Sequence, residues 1–419
     1  MTSPVPPVPN EDSIPDTAGL AKLARLIYSG ADPGPIIAEL SSRASADPED
    51  AGALMDLSMI VQLAGDRTQG LAIQSLALES SRLYRCVHGS GTGLRVLALQ
   101  ASGDFMANTP LDFLFDGSDV TVHYAYLPDN AALPAPLPDH DVAFMGVAES
   151  DANRDLLQNV AELLVTFAKP VINSDARLIV QIARDRLWKL FQSSSRVLAP
   201  RNARVNRAEL TPLATNIASL GALLPDAHFP ILVRPVDSHA GHGLGKINDP
   251  GELSAYLAAS DVDDFYIAPY IDYRSRDNKF RKYRIVFIDG AAYLAHLAIS
   301  DDWMVHYLNA GMHQSADKRD EEAECMAHFD DDFGTRHRIA LGEIASKVGL
   351  DYFAVDCAET QDGRILVFEG GTGMIVHAMD PADLFPYKQI QMRKIFHAFA
   401  AMLERRVGNA SHFSPNALH

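Results

Sequence analysis

The chain has 419 residues, enough for two or three domains, and 47% of them are apolar, ample to fill their cores. Lys and Arg number 36 against 54 Asp and Glu, a net charge of −18. That balance argues against nonspecific binding to nucleic acid, whose phosphates it would repel, and no apolar run approaches the roughly 20 residues that cross a bilayer.

Residues 1–16 are Pro-rich and polar and read as a disordered leader without the basic start and apolar core of a signal peptide. From Thr17 to about Gly89 the pattern is helical. Leu54, Leu57, Val61 and Ala64 form one stripe, and Ile73, Leu76, Ser80 and Leu83 a weaker second one after the Asp66–Gly70 turn. Such a pair resembles a tetratricopeptide unit, which implies an α-helical cap over residues 17–90. The alternative is a surface that takes a peptide partner or a second copy in a homodimer.

After the glycines of His88–Gly93, read as a linker because they precede a strand, the texture changes. Leu94–Gln100, Val120–Tyr126, Val142–Val147 and Lys169–Asn173 are β-rich runs, and Asn159–Phe167 is helical between the last two. They predict a small parallel α/β domain over 91–175. Next comes a helix over Ala176–Gln192. Strands follow at Phe229–Arg234, Phe265–Ala268, Tyr283–Ile288, Ala292–Ile299, Tyr352–Asp356 and Ile365–Glu369, with helices at Arg336–Lys347 and Pro386–Glu404. This is an α+β texture over 176–408, ahead of a tail at 409–419. Cys86, Cys325 and Cys357 are scattered without CxxC spacing, which predicts a reducing, cytoplasmic setting and neither a disulfide framework nor a zinc knot.

The residues suited to chemistry lie in this last region. Strand Phe229–Arg234 delivers a cation at Arg234-Pro235 and runs into His239-Ala-Gly241-His242-Gly243-Leu-Gly245. Glycines let backbone N–H groups close over phosphate oxygens. Lys282 and Arg284 share one face of the strand that ends at Asp289-Gly290; taken alone, such a pair is usually a solvated face. Asp356 and Glu369 end two strands joined by a Gln361-Asp-Gly363 turn, so a hairpin sets the two acids side by side. Oxygen ligands of this kind suit Mg²⁺.

In this order, the elements from about Ile172 to Leu403 resemble the ATP-grasp superfamily. The resemblance implies two α+β subdomains that hold ATP, preceded by a small α/β domain. It implies phosphate contacts from Arg186 and Arg234, which stand where the family commonly has Lys, and a flap formed by His239, Gly241, His242 and Gly243. Pro269, Tyr270 and Ile271 match the hinge that holds adenine. Arg284 matches an arginine near the γ-phosphate, although Lys282 stands where an Asp is common. His296 falls near a basic residue that stabilises an acyl phosphate, and His306 is a second histidine in the same stretch. Asp356 and Glu369 match the Mg²⁺ ligands. Where the family commonly reads Glu-x-Asn, this chain has Glu369-Gly-Gly371, with Thr372, His377 and Asp380 nearby as other donors. The implied activity is ATP-dependent joining of a small-molecule or peptide carboxylate to an amine. The alternatives are phosphotransfer, a ligase with another acceptor, or an ATP-binding scaffold without turnover.

Overall fold

The computed structural model describes residues 13–165, 167–238 and 241–408. Most of the expected leader, the tail 409–419 and His239 lie outside them. In chain order the elements are α1 (Leu20–Tyr28), α2 (Gly34–Ala46), α3 (Ala51–Leu63), α4 (Arg67–Ser80), β1 (Leu83–Val87), β2 (Arg95–Ala101), α5 (Leu111–Leu114), β3 (Thr121–Leu127), β4 (Val142–Met145), α6 (Arg154–Val165), β5 (Val171–Ile172) and α7 (Ala176–Gln181). There follow α8 (Trp188–Phe191), β6 (Val197–Leu198), β7 (Ala203–Asn206), α9 (Arg207–Ala214), β8 (Ile231–Pro235), β9 (Gly245–Ile247), α10 (Pro250–Ala258), β10 (Asp264–Pro269), β11 (Phe280–Ile288) and β12 (Ala291–Ser300). The last are α11 (Ala316–Ala327), α12 (Phe333–Arg336), α13 (Arg338–Val348), β13 (Tyr352–Glu359), β14 (Ile365–Gly371) and α14 (Pro386–Val407). This is the mixed α/β, multidomain class expected, with an α-helical N-terminal region.

The described residues form two compact units, one drawn from 13–180, 350–353 and 372–408, the other from 181–349 and 354–371. The stretch after Gly371, α14 included, belongs with the first unit. In that unit, Asp50 and Asp66 cap α3 and α4 by accepting from the backbone N–H of Ala53 and Gln69. Each such cap is worth about 1 kcal/mol. Leu23, Leu40, Ala53 and Ile60 form a core shared by α1, α2 and α3.

Residues 83–87, which helical periodicity drew into the cap, instead form β1. It pairs antiparallel with β3 at the edge of a sheet ordered β1-β3-β2-β4-β5. The remaining strands run parallel, as expected. Residues 13–16, assigned above to a disordered leader, are ordered against that edge. The Pro15 carbonyl accepts from Arg85 N–H, Thr17 N–H donates to the Arg85 carbonyl, and Ile14 is buried. An extended segment satisfies the backbone groups that an edge strand leaves open. Phe399 of α14 packs its ring on Phe115, Phe144 and Tyr352. A small cavity bordered by Gln62, Gln74, Gln100, Asn108 and Tyr126 also lies in this unit.

The second unit holds two sheets. One is antiparallel, ordered β7-β10-β8-β9, and buries Ile231, Val233, Phe265 and Ile267 against Leu210 and Leu213 of α9 and Leu253 and Leu257 of α10. The other is ordered β12-β11-β13-β14-β6. Asp289 and Gly290 both have positive φ, 49° and 79°, so the β11–β12 connection has the sign pattern of a type I′ turn. Gly363, φ 81°, closes the β13–β14 hairpin. Among the described residues no helix is long and apolar enough to cross a membrane. All three cysteines are free.

Candidate active site

Every group considered first belongs to the second unit. In the β13–β14 hairpin, Asp356 stands directly opposite Glu369. One step further Cys357 faces Val367, so Phe368 is the extra residue of a β-bulge. Its ring packs 5.0 Å from that of Tyr273, whose hydroxyl donates to the Trp303 carbonyl at 2.7 Å.

Lys282 and Arg284 point the same way from β11, as period two requires, and both end on Asp356. They are not a solvated face. Lys282 Nζ lies 2.7 Å from Asp356 Oδ2, Arg284 Nε 2.8 Å from Oδ1 and Arg284 Nη2 3.1 Å from Oδ2, while the carboxylate side chain is fully buried. Burial alone would raise the Asp356 pKa; Arg284 and Lys282 overcome it and hold the carboxyl well below the usual range.

Glu369 is paired with Arg184, whose Nη2 donates to Oε2. Here too burial acts upward, and Arg184 and then Lys282 prevail, keeping the acid ionised. Arg234 rises from β8 opposite Tyr266 of β10, with Nε and Nη2 on Ser238 Oγ, each at 3.1 Å. Burial and the like charge of Arg184 bring its guanidinium down to about 10, with Glu369 acting the other way, so Arg234 sits within the field of both. Four cations (Arg184, Arg234, Lys282, Arg284) therefore meet two carboxylates. In a chain of net −18, these six side chains hold a local excess of two positive charges.

The remaining residues singled out in the sequence are placed as follows. His296 of β12 is in register with Arg284, and its ring lies 4.7 Å from that of Tyr307. His306 is lowered from its ordinary pKa by burial and then by Lys282 and Arg284, so it shares their field. Gly241 and Gly243 have φ of 78° and 67°, and the Gly243 carbonyl accepts from the Tyr256 hydroxyl at 2.6 Å. His242 lies in the same turn. Pro269 pairs with Ile231 at the end of β10; Tyr270 N–H donates to the Pro230 carbonyl at 3.1 Å, and half-buried Ile271 follows. Lys246 Nζ sits 3.7 Å above the Tyr270 ring, an arrangement that favours the cation.

Arg186 is half-buried in a run of turns, because the helix expected over 176–192 is two short helices, α7 and α8. Arg184, two residues earlier, reaches Glu369 instead. The missed acid is Glu322 of α11. Fully buried, it accepts from Leu297 N–H at 3.0 Å and from the Tyr307 hydroxyl at 3.1 Å, beside His296. Only its i, i+4 spacing from Met326 marks an inward face. Thr372, His377 and Asp380 belong to the first unit, where Asp380 accepts from buried Lys388 at 3.2 Å.

No known family profile matches the chain, and no curated protein sequence does. Among solved structures it is similar to a RimK domain protein ATP-grasp from Sphaerobacter thermophilus DSM 20745, at 16% identity and TM-score 0.39, over 75% of this chain and 100% of that one. It is similar to the VanG D-Ala:D-Ser ligase from Enterococcus faecalis, at 11% identity and TM-score 0.45, over 74% and 99%. The D-alanyl-alanine synthetase A from Vibrio cholerae O1 biovar eltor str. N16961 is similar at 12% and 0.44, over 76% and 99%.

Proposed function

We propose that this protein is an ATP-dependent ligase of the ATP-grasp kind, which activates a carboxylate as an acyl phosphate and couples it to an amine. The observation that carries the reading is the excess of cations around the facing acids Asp356 and Glu369. Such a cluster binds a triphosphate electrostatically, and the order of its elements is the one that resembles the superfamily.

The two acids offer only oxygen donors, and the cluster is already cationic without ligand. A divalent cation fits there together with the phosphates rather than before them. Glu369, whose side chain is 29% exposed, and Asp356 would hold Mg²⁺. Bound, it would supply charge neutralisation on the phosphate oxygens.

Arg234 and Arg284 bind and orient the phosphates, with the glycines of the 241–245 turn over them. Pro269–Ile271 carry the purine at the end of β10. A substrate carboxylate oxygen bonds to the γ-phosphorus as the bond to the β,γ-bridging oxygen breaks and ADP departs. The amine nitrogen then bonds to the acyl carbon, phosphate leaves, and the nitrogen loses a proton to water or buffer. His296, beside Arg284, supplies a polar contact to the acyl phosphate. Turnover of this kind is positioning and electrostatics, with no covalent step on the protein.

The test is a stoichiometry. The protein is incubated with MgATP and panels of carboxylates and amines, and ADP, free phosphate and amide are measured together. The expected result is one phosphate and one ADP per amide, only when both partners are present. Phosphate retained on an organic product would instead show phosphotransfer, and tight ATP binding without turnover across the panels a scaffold.

A further inference from the structure

Strand β1 leads into Cys86-Val87-His88, so Cys86 and His88 are two apart on extended chain and share a face. Helix α5 sets Asp112 against them. Cys86 Sγ lies 3.8 Å from His88 Nε2, and that nitrogen lies 3.2 Å from Asp112 Oδ1. The three donor atoms all fall within 4.8 Å of one another. Cys86 and Asp112 are buried, and the His88 side chain is 14% exposed.

The same nitrogen serves both neighbours, and it carries either one proton or one lone pair. With one proton on that nitrogen the ring donates to Asp112 and the thiol also turns to Asp112, so in the metal-free state both groups lean on one carboxylate. A single cation at the centre satisfies all three groups. Tetrahedral zinc bond lengths place such a nitrogen about 3.3 Å from a ligand oxygen and about 3.6 Å from a ligand sulfur. The observed separations differ from these by a few tenths of an ångström.

The surroundings are those of a held ligand set. Leu20 N–H donates to Asp112 Oδ2 at 2.6 Å, and the Tyr124 hydroxyl donates to Oδ1, so outer partners fix the carboxylate. Gly19, φ 84°, closes over the cluster so tightly that a Cβ there would meet Cys86 Sγ at 2.6 Å and Asp112 Oδ2 at 3.1 Å.

We propose that Cys86, His88 and Asp112, with a water as fourth ligand, bind one divalent transition-metal ion of the zinc class at a site in the first unit that is independent of the proposed ligase chemistry. A thiolate–imidazole–carboxylate set suits zinc and cobalt and is a poor one for Mg²⁺. On binding, the Cys86 S–H bond breaks, its proton goes to solvent and the Sγ–metal bond forms. Thiolate and carboxylate then balance the ion's two charges. The ion ties β1 to α5 and, through Asp112 and Leu20, to the start of α1.

The test uses the full chain, stripped with a chelator and titrated with Co²⁺. One equivalent is expected to bind with a thiolate-to-cobalt charge-transfer band and the intense ligand-field bands of four-coordination, and Zn²⁺ is expected to displace it. Cys86→Ser is expected to abolish the charge-transfer band, and Cys325→Ser to leave it unchanged. His88→Gln and Asp112→Asn are expected to weaken Co²⁺ binding roughly tenfold or more, with circular dichroism reporting the fold of each variant. Absence of the charge-transfer band in the parent protein at saturating Co²⁺ overturns the proposal, whatever the variants do. So does an undiminished band in Cys86→Ser.

Discussion

Arg284 grips Asp356 with two hydrogen bonds, Nε to Oδ1 at 2.8 Å and Nη2 to Oδ2 at 3.1 Å, around a carboxylate with no exposed surface. Lys282 shares the same acid. Removing that acid takes away the carboxylate that both cations grip and leaves Glu369, already paired with Arg184, as the nearest counter-charge. Asp356→Ala is therefore expected to destabilise the second unit by about 3–5 kcal/mol, and Asp356→Asn, which keeps an acceptor, by less. Urea midpoints of the three proteins measure it, and equal midpoints for parent and Asp356→Ala would refute the assignment.

Glu369 is more open than Asp356, and its partner Arg184 retains an acceptor if the acid becomes an amide. Glu369→Gln is thus expected to fold normally while ADP release falls by about 10²–10³, the scale for losing one electrostatic element at a transferring phosphoryl group. Parallel calorimetry with MgATP separates lost binding from lost turnover. Unchanged ADP release would remove Glu369 from the site.

Gly243 has φ 67°, and a methyl group there would stand 2.7 Å from Pro235 Cδ. Gly243→Ala is expected to cost roughly 1–2 kcal/mol for the left-handed backbone alone and to raise the Kd for MgATP. Gly290→Ala, also at positive φ but in open space, serves as the control in which stability alone moves. A Kd that rises equally in both would detach the turn from nucleotide binding.

In the first unit, burial pushes the Asp56 carboxyl up from 3.8 to about 7, although Ala18 N–H bonds to both of its oxygens. The folded state therefore holds this proton more tightly than the unfolded chain does. The associated stability is fully present below about 3.8 and is lost as pH rises through about 7. Asp56→Asn is expected to flatten the decline of Tm over that window. Thermal melts of both proteins from pH 4 to 8 decide the matter, and curves that run parallel would contradict it.

Much of the fold was legible because its strands announce themselves. Runs such as Leu94–Gln100 are largely apolar, as a parallel sheet covered on both sides demands, and the Gln361-Asp-Gly363 turn marked one hairpin in advance. What was misread shares a physical cause, since local periodicity is silent on distant partners. Leu83 fits a helical stripe as well as it fits β1. Helix α11, Ala316–Ala327, is too polar to show a stripe, because only Glu322 and Met326 are buried. The single helix read over 176–192 is broken between α7 and α8, and Arg184, which the resemblance did not single out, is the residue that reaches Glu369. The facing of Asp356 and Glu369 was readable from a short hairpin. That Arg284 would meet Asp356, 72 residues on and in a strand not consecutive with its own, was not. Cysteine spacing alone gave no hint that Cys86 would meet His88 and Asp112.

The bulge at Phe368 makes the β13–β14 hairpin a counting device. Continuing the pairing of Cys357 with Val367 without it would put a phenyl ring opposite Asp356 and send the Glu369 carboxylate to the reverse side of the sheet. Loss or gain of a single residue between Cys357 and Phe368 would thus swap an acid for a hydrocarbon without touching either acid.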